Sequence, residues 1–167
     1  MITYIEKGEG LHLALNSAGI KVWFENRQVR VYPESKEAEA QSIIDAYDPV
    51  PYSRKIAKKR IVDQINESTK ELVNKYPQVE RDRFAEQEAE AIAFNVDPSA
   101  LTPLIDEIVL RSGRSKALIA SKIITKSNSR RLVDKAHLAE RQKLFATIDV
   151  TTNYKAIDGL NFIADVV

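Results

Sequence analysis

Cysteine is missing altogether from this 167-residue chain. Its absence excludes disulfides, iron–sulfur clusters and thiolate zinc sites, so packing alone must hold the fold. Glycine and proline are sparse, five and six residues, which argues against an all-β protein full of tight turns. Aromatic residues make up only 7%, and the core must be built from Ile, Leu, Val and Ala rather than from stacked rings. No run of about 18 apolar residues occurs, so no membrane span is expected. The opening Met1-Ile2-Thr3-Tyr4-Ile5-Glu6 has no basic start and no apolar stretch behind it, and it does not read as a signal peptide. A net charge of +1 supplies no global field to draw the chain onto nucleic acid or an anionic membrane. The expectation is a protein made in a cytosol.

What is abundant is Ala, Glu, Lys and Arg, the composition of helices. Residues 2–6 alternate as a short strand would, and Leu11–Ala18 reads as a two-turn helix stopped by Gly19. Ile20, Val22 and Phe24 then alternate with Lys21, Trp23 and Glu25. After Asn26-Arg27 the alternation resumes through Gln28-Val29-Arg30-Val31-Tyr32, a hairpin pattern. Ser35 is a candidate N-cap for a helix whose stripe is Ala40, Ile43, Ile44 and Tyr47. Asp48-Pro49-Val50-Pro51 ends it, because a residue before proline is pushed out of the helical region.

Beyond that point helices dominate. Ser53 is the expected cap of a helix to Lys75, with Ile61, Ile65, Leu72 and Tyr76 along one side, stopped by Tyr76-Pro77. A second helix is expected from about Glu80 to Phe94, anchored by Phe84, with Ala85, Ala89 and Ile92 beside it. Thr102-Pro103 should start a third, since threonine caps and proline suits the first helical position, and Gly113 should end it. Ser115 caps a longer segment reaching about Ile148, either one helix or two with a break near the polar run 126–131. The tail from Asp149 is ambiguous between a turn at Asp158-Gly159 and a helical stripe of Ile157, Leu160 and Ile163. The fold class expected is therefore mainly α: a small α+β head, residues 1–49, followed by an extended helical arm. That arm divides into a helical hairpin region, 50–114, and a basic helical segment with a tail, 115–167.

Charge is unevenly spread. Residues 80–107 hold eight acidic and two basic side chains, and residues 111–143 hold ten basic and two acidic. Neighbouring helices of opposite sign can lie against each other, within one chain or between copies.

Candidate chemistry is thin. Strand, Gly8-Glu9-Gly10, helix is how a nucleotide-binding unit opens. Here the third glycine position holds Leu13, no Gly-Lys-Ser/Thr follows, and the next element is a hairpin rather than a crossover to a parallel strand. His12 and His137 are the only imidazoles, and His137 with Glu140 lacks the second His–Glu pair that a metal site in a helical bundle would need. No serine sits in a Gly-x-Ser-x-Gly elbow, and Glu86, Glu88 and Glu90 read as a solvated helix face. Neither catalytic residues nor a cofactor or metal is expected. Arg54, Lys55, Lys58 and Lys59 share one helix face, which is how a phosphate-gripping patch is built, and Arg60 adjoins it. That patch lacks interleaved aromatics and a helix-turn-helix frame, so acidic protein partners explain it as well as DNA does. The helix from Ser115 is too poor in large apolar residues at its alternating core positions for an autonomous coiled coil.

Ile43-Ile44-Asp45-Ala46-Tyr47-Asp48-Pro49 after a small head resembles the start of small tail proteins of tailed bacteriophages and prophages. The following pattern is a basic helix, Tyr76-Pro77, Phe84, Gln87-Glu88-Ala89-Glu90-Ala91 and Ala100-Leu101-Thr102-Pro103-Leu104-Ile105, then Arg111-Ser112-Gly113. It is similar to a helical domain of tail-fibre and tail-fibre-assembly proteins. The likeness spans about residues 40–125, departs from its pattern at Phe84, where Trp is commoner, and has no counterpart for the basic segment after Ser115. It implies no catalytic residues. It implies a structural part of a tail tip, baseplate or fibre attachment region, located in the virion, made in the host bacterial cytoplasm and assembled in several copies. Its partners would be other tail proteins or the fibre, met through Ile61, Ile65, Leu72, Tyr76, Phe84 and Ile92. The alternatives are a tail-fibre assembly chaperone absent from the virion, and a small nucleic-acid-binding or host-takeover protein.

Overall fold

The computed structural model describes residues 7–25 and 28–163, except for the side chains of 24, 25, 28, 29 and 71–73. In order, the elements are α1 (Glu9–Ser17), β1 (Lys21–Glu25), β2 (Gln28–Tyr32), α2 (Glu37–Ala46) and α3 (Val50–Asn74). They continue with α4 (Gln78–Arg81), α5 (Phe84–Val96), α6 (Pro103–Ser112), α7 (Lys116–Val150) and α8 (Tyr154–Asp158). The protein is mainly α with a small α+β head. The strand expected at residues 2–6 and the turn at Asn26-Arg27 lie outside the described residues.

The chain forms two compact units. The first takes the described residues up to Ile61 together with Leu144–Asn161. Its hairpin is antiparallel, with Val22 opposite Val31 and Trp23 opposite Arg30. Alternation works here as it should: Ile20 and Val31 are buried with Leu11, Leu15, Ala40 and Ile44, and Val22, Ile43 and Tyr47 pack against them. Trp23, on the other face, is exposed. Gly10 is buried in α1, and a Cβ there would run into the Tyr47 hydroxyl and the Tyr52 ring. Close packing is thus the demand that Gly10 meets, and the element that follows α1 is the antiparallel hairpin.

The second unit takes Val62–Lys143 and the described residues from Phe162 onward. Ala91 of α5, Ile105 of α6, and Ile119 and Ala120 of α7 form its buried cluster, flanked by Phe94, Ile108, Val109, Ile123 and Ile124. Gly113 ends α6 in the left-handed conformation, φ 65°, as expected of a helix-terminating glycine. α7 runs unbroken for 35 residues, so the polar run 126–131 is a stretch of helix and not a break.

The compact units do not share the boundaries expected at residues 49 and 114. The head reaches to Ile61 and recruits residues 144–161 from the far part of the chain. Two arginines account for this. Arg54 donates to the carbonyls of Ile148 and Thr151 at the end of α7 (3.2 and 3.1 Å). Arg60 donates to those of Asp158 and Leu160 beyond α8 (both 2.8 Å). The last carbonyls of a helix have no partner within it, and a cation there also meets the negative end of the helix dipole. Lys58 adds an ion pair to Asp149 at 2.6 Å. Lys7 serves α2 in the same way, through Ile44, Asp45 and Tyr47 oxygens at 2.7–3.2 Å, and Lys36 serves α1 through the Ala18 oxygen.

Two expected caps are also corrected. α3 starts at Val50, where Asp48 Oδ1 accepts from the Val50 amide at 2.9 Å. Ser53 lies inside the helix and is buried. A short 3-10 turn, Glu34–Lys36, precedes α2, and Ser35 falls within it rather than capping. α8 resolves the tail as a short helix: Asn153 accepts from the Lys155 and Ala156 amides, and Ile157 is fully buried.

Replacing Arg60 with Ala should lower stability by about 1.5–3 kcal/mol, the range for hydrogen bonds from a charged group. Hydrogen exchange should quicken at residues 154–160. Equal urea midpoints and equal exchange in the two proteins would refute the clamp. A second expectation concerns Tyr47, whose phenol is held above its ordinary value of 10.0 by burial first, then by the Tyr52 and Asp48 charges. The folded form thus keeps this proton longer than the unfolded form. The linked stability is intact below about pH 10 and declines as pH rises through the folded value. Tyr47→Phe should flatten the alkaline fall in stability, read from urea melts between about pH 9 and 11.

Candidate interaction surface

The six residues expected to meet partners have different fates. Ile61 is completely buried. Ile65 is half-buried. Leu72 lies on α3, and its side chain is outside the described residues. Tyr76 and Phe84 are half-buried and meet edge to face, centroids 5.2 Å apart. The Lys126 ammonium stands 5.6 Å from the Tyr76 ring and the Arg130 guanidinium 5.4 Å from that of Phe84. These rings are therefore largely engaged within the second unit. Of the five whose side chains are described, Ile92 alone is plainly exposed, at 47%.

The acidic and basic stretches meet as expected, within one chain. Arg131 pairs with Glu88 at 2.6 Å and Lys116 with Asp106 at 2.8 Å. Most such pairs are exposed on at least one side and contribute about 0–1 kcal/mol each. Glu90 does more. It is 9% exposed, not the solvated residue expected, and its carboxylate accepts from the Leu104 and Ile105 amides at 3.1 and 2.9 Å. Thr102 and Pro103 do mark the start of α6. The threonine hydroxyl, however, has no hydrogen-bond partner, so α6 is capped by a side chain from α5.

This cap fixes which way α5 faces. Ala91 is buried and Phe94 and Gln87 half-buried on its inner side. On the opposite side Ala85, Ala89, Ile92 and Val96 follow at 4-3-4 spacing and are all exposed, Val96 by 82%. An amphipathic helix would carry charge there, and a helix apolar on both faces is normally covered on both. Leu101 and Leu110, nearby in sequence, are 92% and 79% exposed.

Comparison with family models, with curated proteins and with solved structures gives no match.

Elsewhere, the basic patch at the start of α3 is mainly structural. Arg54, Lys58 and Arg60 hold the end of α7 and the turn after α8, and the Lys58 ammonium also lies 5.3 Å from the Phe145 ring. A cleft of about 370 Å³ in the first unit is lined by His12, Asn16, Lys21 and Trp23 beside Leu15, Ile20 and Val22, with no carboxylate among the described residues of its wall. Among the described residues no three His, Asp or Glu side chains gather as a metal site, and no helix is long and apolar enough to cross a membrane.

Sequence reasoning set Ala85 and Ala89 beside Ile92 but did not join Val96 to them, although the 4-3-4 spacing was the available signal. Glu90→Ala should destabilise the protein by about 1–2 kcal/mol, the loss typical of a helix cap. Thr102→Val should have a much smaller effect, because its hydroxyl makes no bond. Urea denaturation of both variants checks the assignment, and a larger loss from Thr102→Val would reverse it.

Proposed function

We propose that this protein is a structural component of a bacteriophage tail, in its tip, baseplate or fibre attachment region, acting by protein–protein packing rather than catalysis. The observation that carries the reading is the second apolar face of α5, where Ala85, Ala89, Ile92 and Val96 stand exposed opposite the buried side of the same helix. Apolar surface of this kind on an otherwise charged protein marks a contact surface. The resemblance of residues 40–125 to the helical domain of tail-fibre and tail-fibre-assembly proteins supplies the setting.

The disposition of charge agrees with a packing role. The carboxylates and cations that first invite a chemical or nucleic-acid reading are used on helix ends: Glu90 on α6, Arg54 on α7, Arg60 beyond α8. Lys58 also pairs internally, with Asp149, and these contacts of the 54–60 patch disfavour the nucleic-acid alternative.

Mass spectrometry of purified particles from the phage or prophage encoding this chain tests the proposal. The chain should be present in several copies per particle, in fixed ratio to the tail proteins. If particles contain none of it and fibres misfold in its absence, the assembly-chaperone alternative replaces this reading.

A further inference from the structure

The exposed face of α5 has a size pattern that selects its occupant. Its first half carries the small residues Ala85 and Ala89, and its second half the large residues Ile92 and Val96. We propose that α5 pairs with α5 of a second copy of this chain, antiparallel, about a two-fold axis between Ala89 and Ile92.

In that arrangement Ala85 lies against Val96 of the other copy, and Ala89 against Ile92. Every large side chain meets a small one, so the helices approach closely without voids, and the contact is self-complementary as a two-fold interface must be. A parallel pair would set Ile92 on Ile92 and leave Ala85 facing Ala85 across a gap, which forfeits dispersion contacts.

Charge selects the same orientation. Glu86 flanks the stripe on one side, while Glu88 and Asn95 flank it on the other. Antiparallel pairing brings like flanks together. Glu86 then lies beside Ala93 of the other copy, and the two Glu86 carboxylates are offset by nine residues, about 13 Å at 1.5 Å per residue. This exceeds the screening length of about 8 Å at physiological ionic strength. On the second flank Glu88 approaches the uncharged Asn95, and the two Glu88 carboxylates, offset by five residues or about 7.5 Å, are each paired with Arg131 of their own chain. Parallel pairing would instead bring Glu86 next to Glu88 at nearly the same height.

The contact is small. A 13-residue helix is about 20 Å long, and one helix pair falls below the roughly 1,200 Å² of a standard stable interface. The free chain therefore dimerises weakly, and pairing becomes strong only where copies are held together at high effective concentration. This inference does not depend on the tail reading. It is tested on purified protein, whereas that reading is tested on particles, so either can fail alone.

The natural lack of cysteine makes the test direct. Sedimentation equilibrium from micromolar to millimolar concentration should reveal a monomer–dimer equilibrium in the full-length chain. Ile92→Glu should weaken it by about tenfold or more, the effect of charging a central contact, while thermal unfolding of the dilute protein stays unchanged because Ile92 is exposed. Oxidising a mixture of Ala85→Cys and Val96→Cys chains should give the mixed disulfide dimer. Val96→Cys alone should form no disulfide dimer, since its two sulfurs would be about 16 Å apart along the pair. A wild type that is monomeric at millimolar concentration overturns the proposal. So does an Ile92→Glu chain that associates as tightly as wild type, or a Val96→Cys chain that cross-links to itself as readily as the mixture does.

Discussion

The polar atoms left over at helix ends are the constraint around which this protein is organised. Each helix leaves carbonyls without partners at one end and amides at the other, and a chain that is mainly helix has many of both. In the first unit the carbonyl ends are met by cations from elsewhere in the chain: Lys36 at α1, Lys7 at α2, Arg54 at α7 and Arg60 just past α8. In the second, the amide end of α6 is met by Glu90. This explains why a cluster of positive charge sits in the first turns of α3, where the dipole of that helix would itself prefer acid. The cations are there for the ends of other helices.

The parts of this arrangement that were readable from the sequence are those with local causes. The hairpin follows from alternation at Ile20–Phe24 and Gln28–Tyr32, and α2 from the Ala40, Ile43, Ile44, Tyr47 stripe. The limits of α6 follow from Thr102-Pro103 and Gly113. What could not be read depends on partners far apart. A threonine before a proline looks like a cap in any sequence, and nothing local reveals that a glutamate 12 residues earlier takes its place. Arg54 and Arg60 look like a phosphate patch until their acceptors, 94 to 100 residues on, are brought beside them. The same distance hid the composition of the head, which seemed complete at Pro49. The candidate surface was partly legible: Ile92 stands on it, whereas Ile61 is interior and Tyr76 and Phe84 serve each other.

These arrangements bear on what kind of work the protein can do. Several of its charges, Arg54, Arg60, Glu90 and Arg131 among them, are matched to helix ends or to one another, and exposed apolar surface stands beside them. α5 is the extreme case, with Ala91 and Phe94 turned to the core and Ile92 and Val96 turned away from it. A helix of this kind is better suited to joining bodies than to binding a small molecule, because it offers shape and area without a concave wall of directed polar groups.

The reach of Arg54 and Arg60 also sets a timetable for folding. A ribosome adds about 5–20 residues per second and domains ordinarily fold in the order they emerge. The first unit cannot follow that order, since its Leu144–Asn161 portion is synthesised after nearly all of the second. For several seconds the nascent head has its hairpin and early helices but lacks its last pieces, and closing so long a loop is a slow kind of contact to make. The second unit meets no such delay at Glu90, whose acceptor role is complete as soon as residues 104 and 105 leave the exit tunnel. The Glu90 cap can thus form before the head has its last pieces.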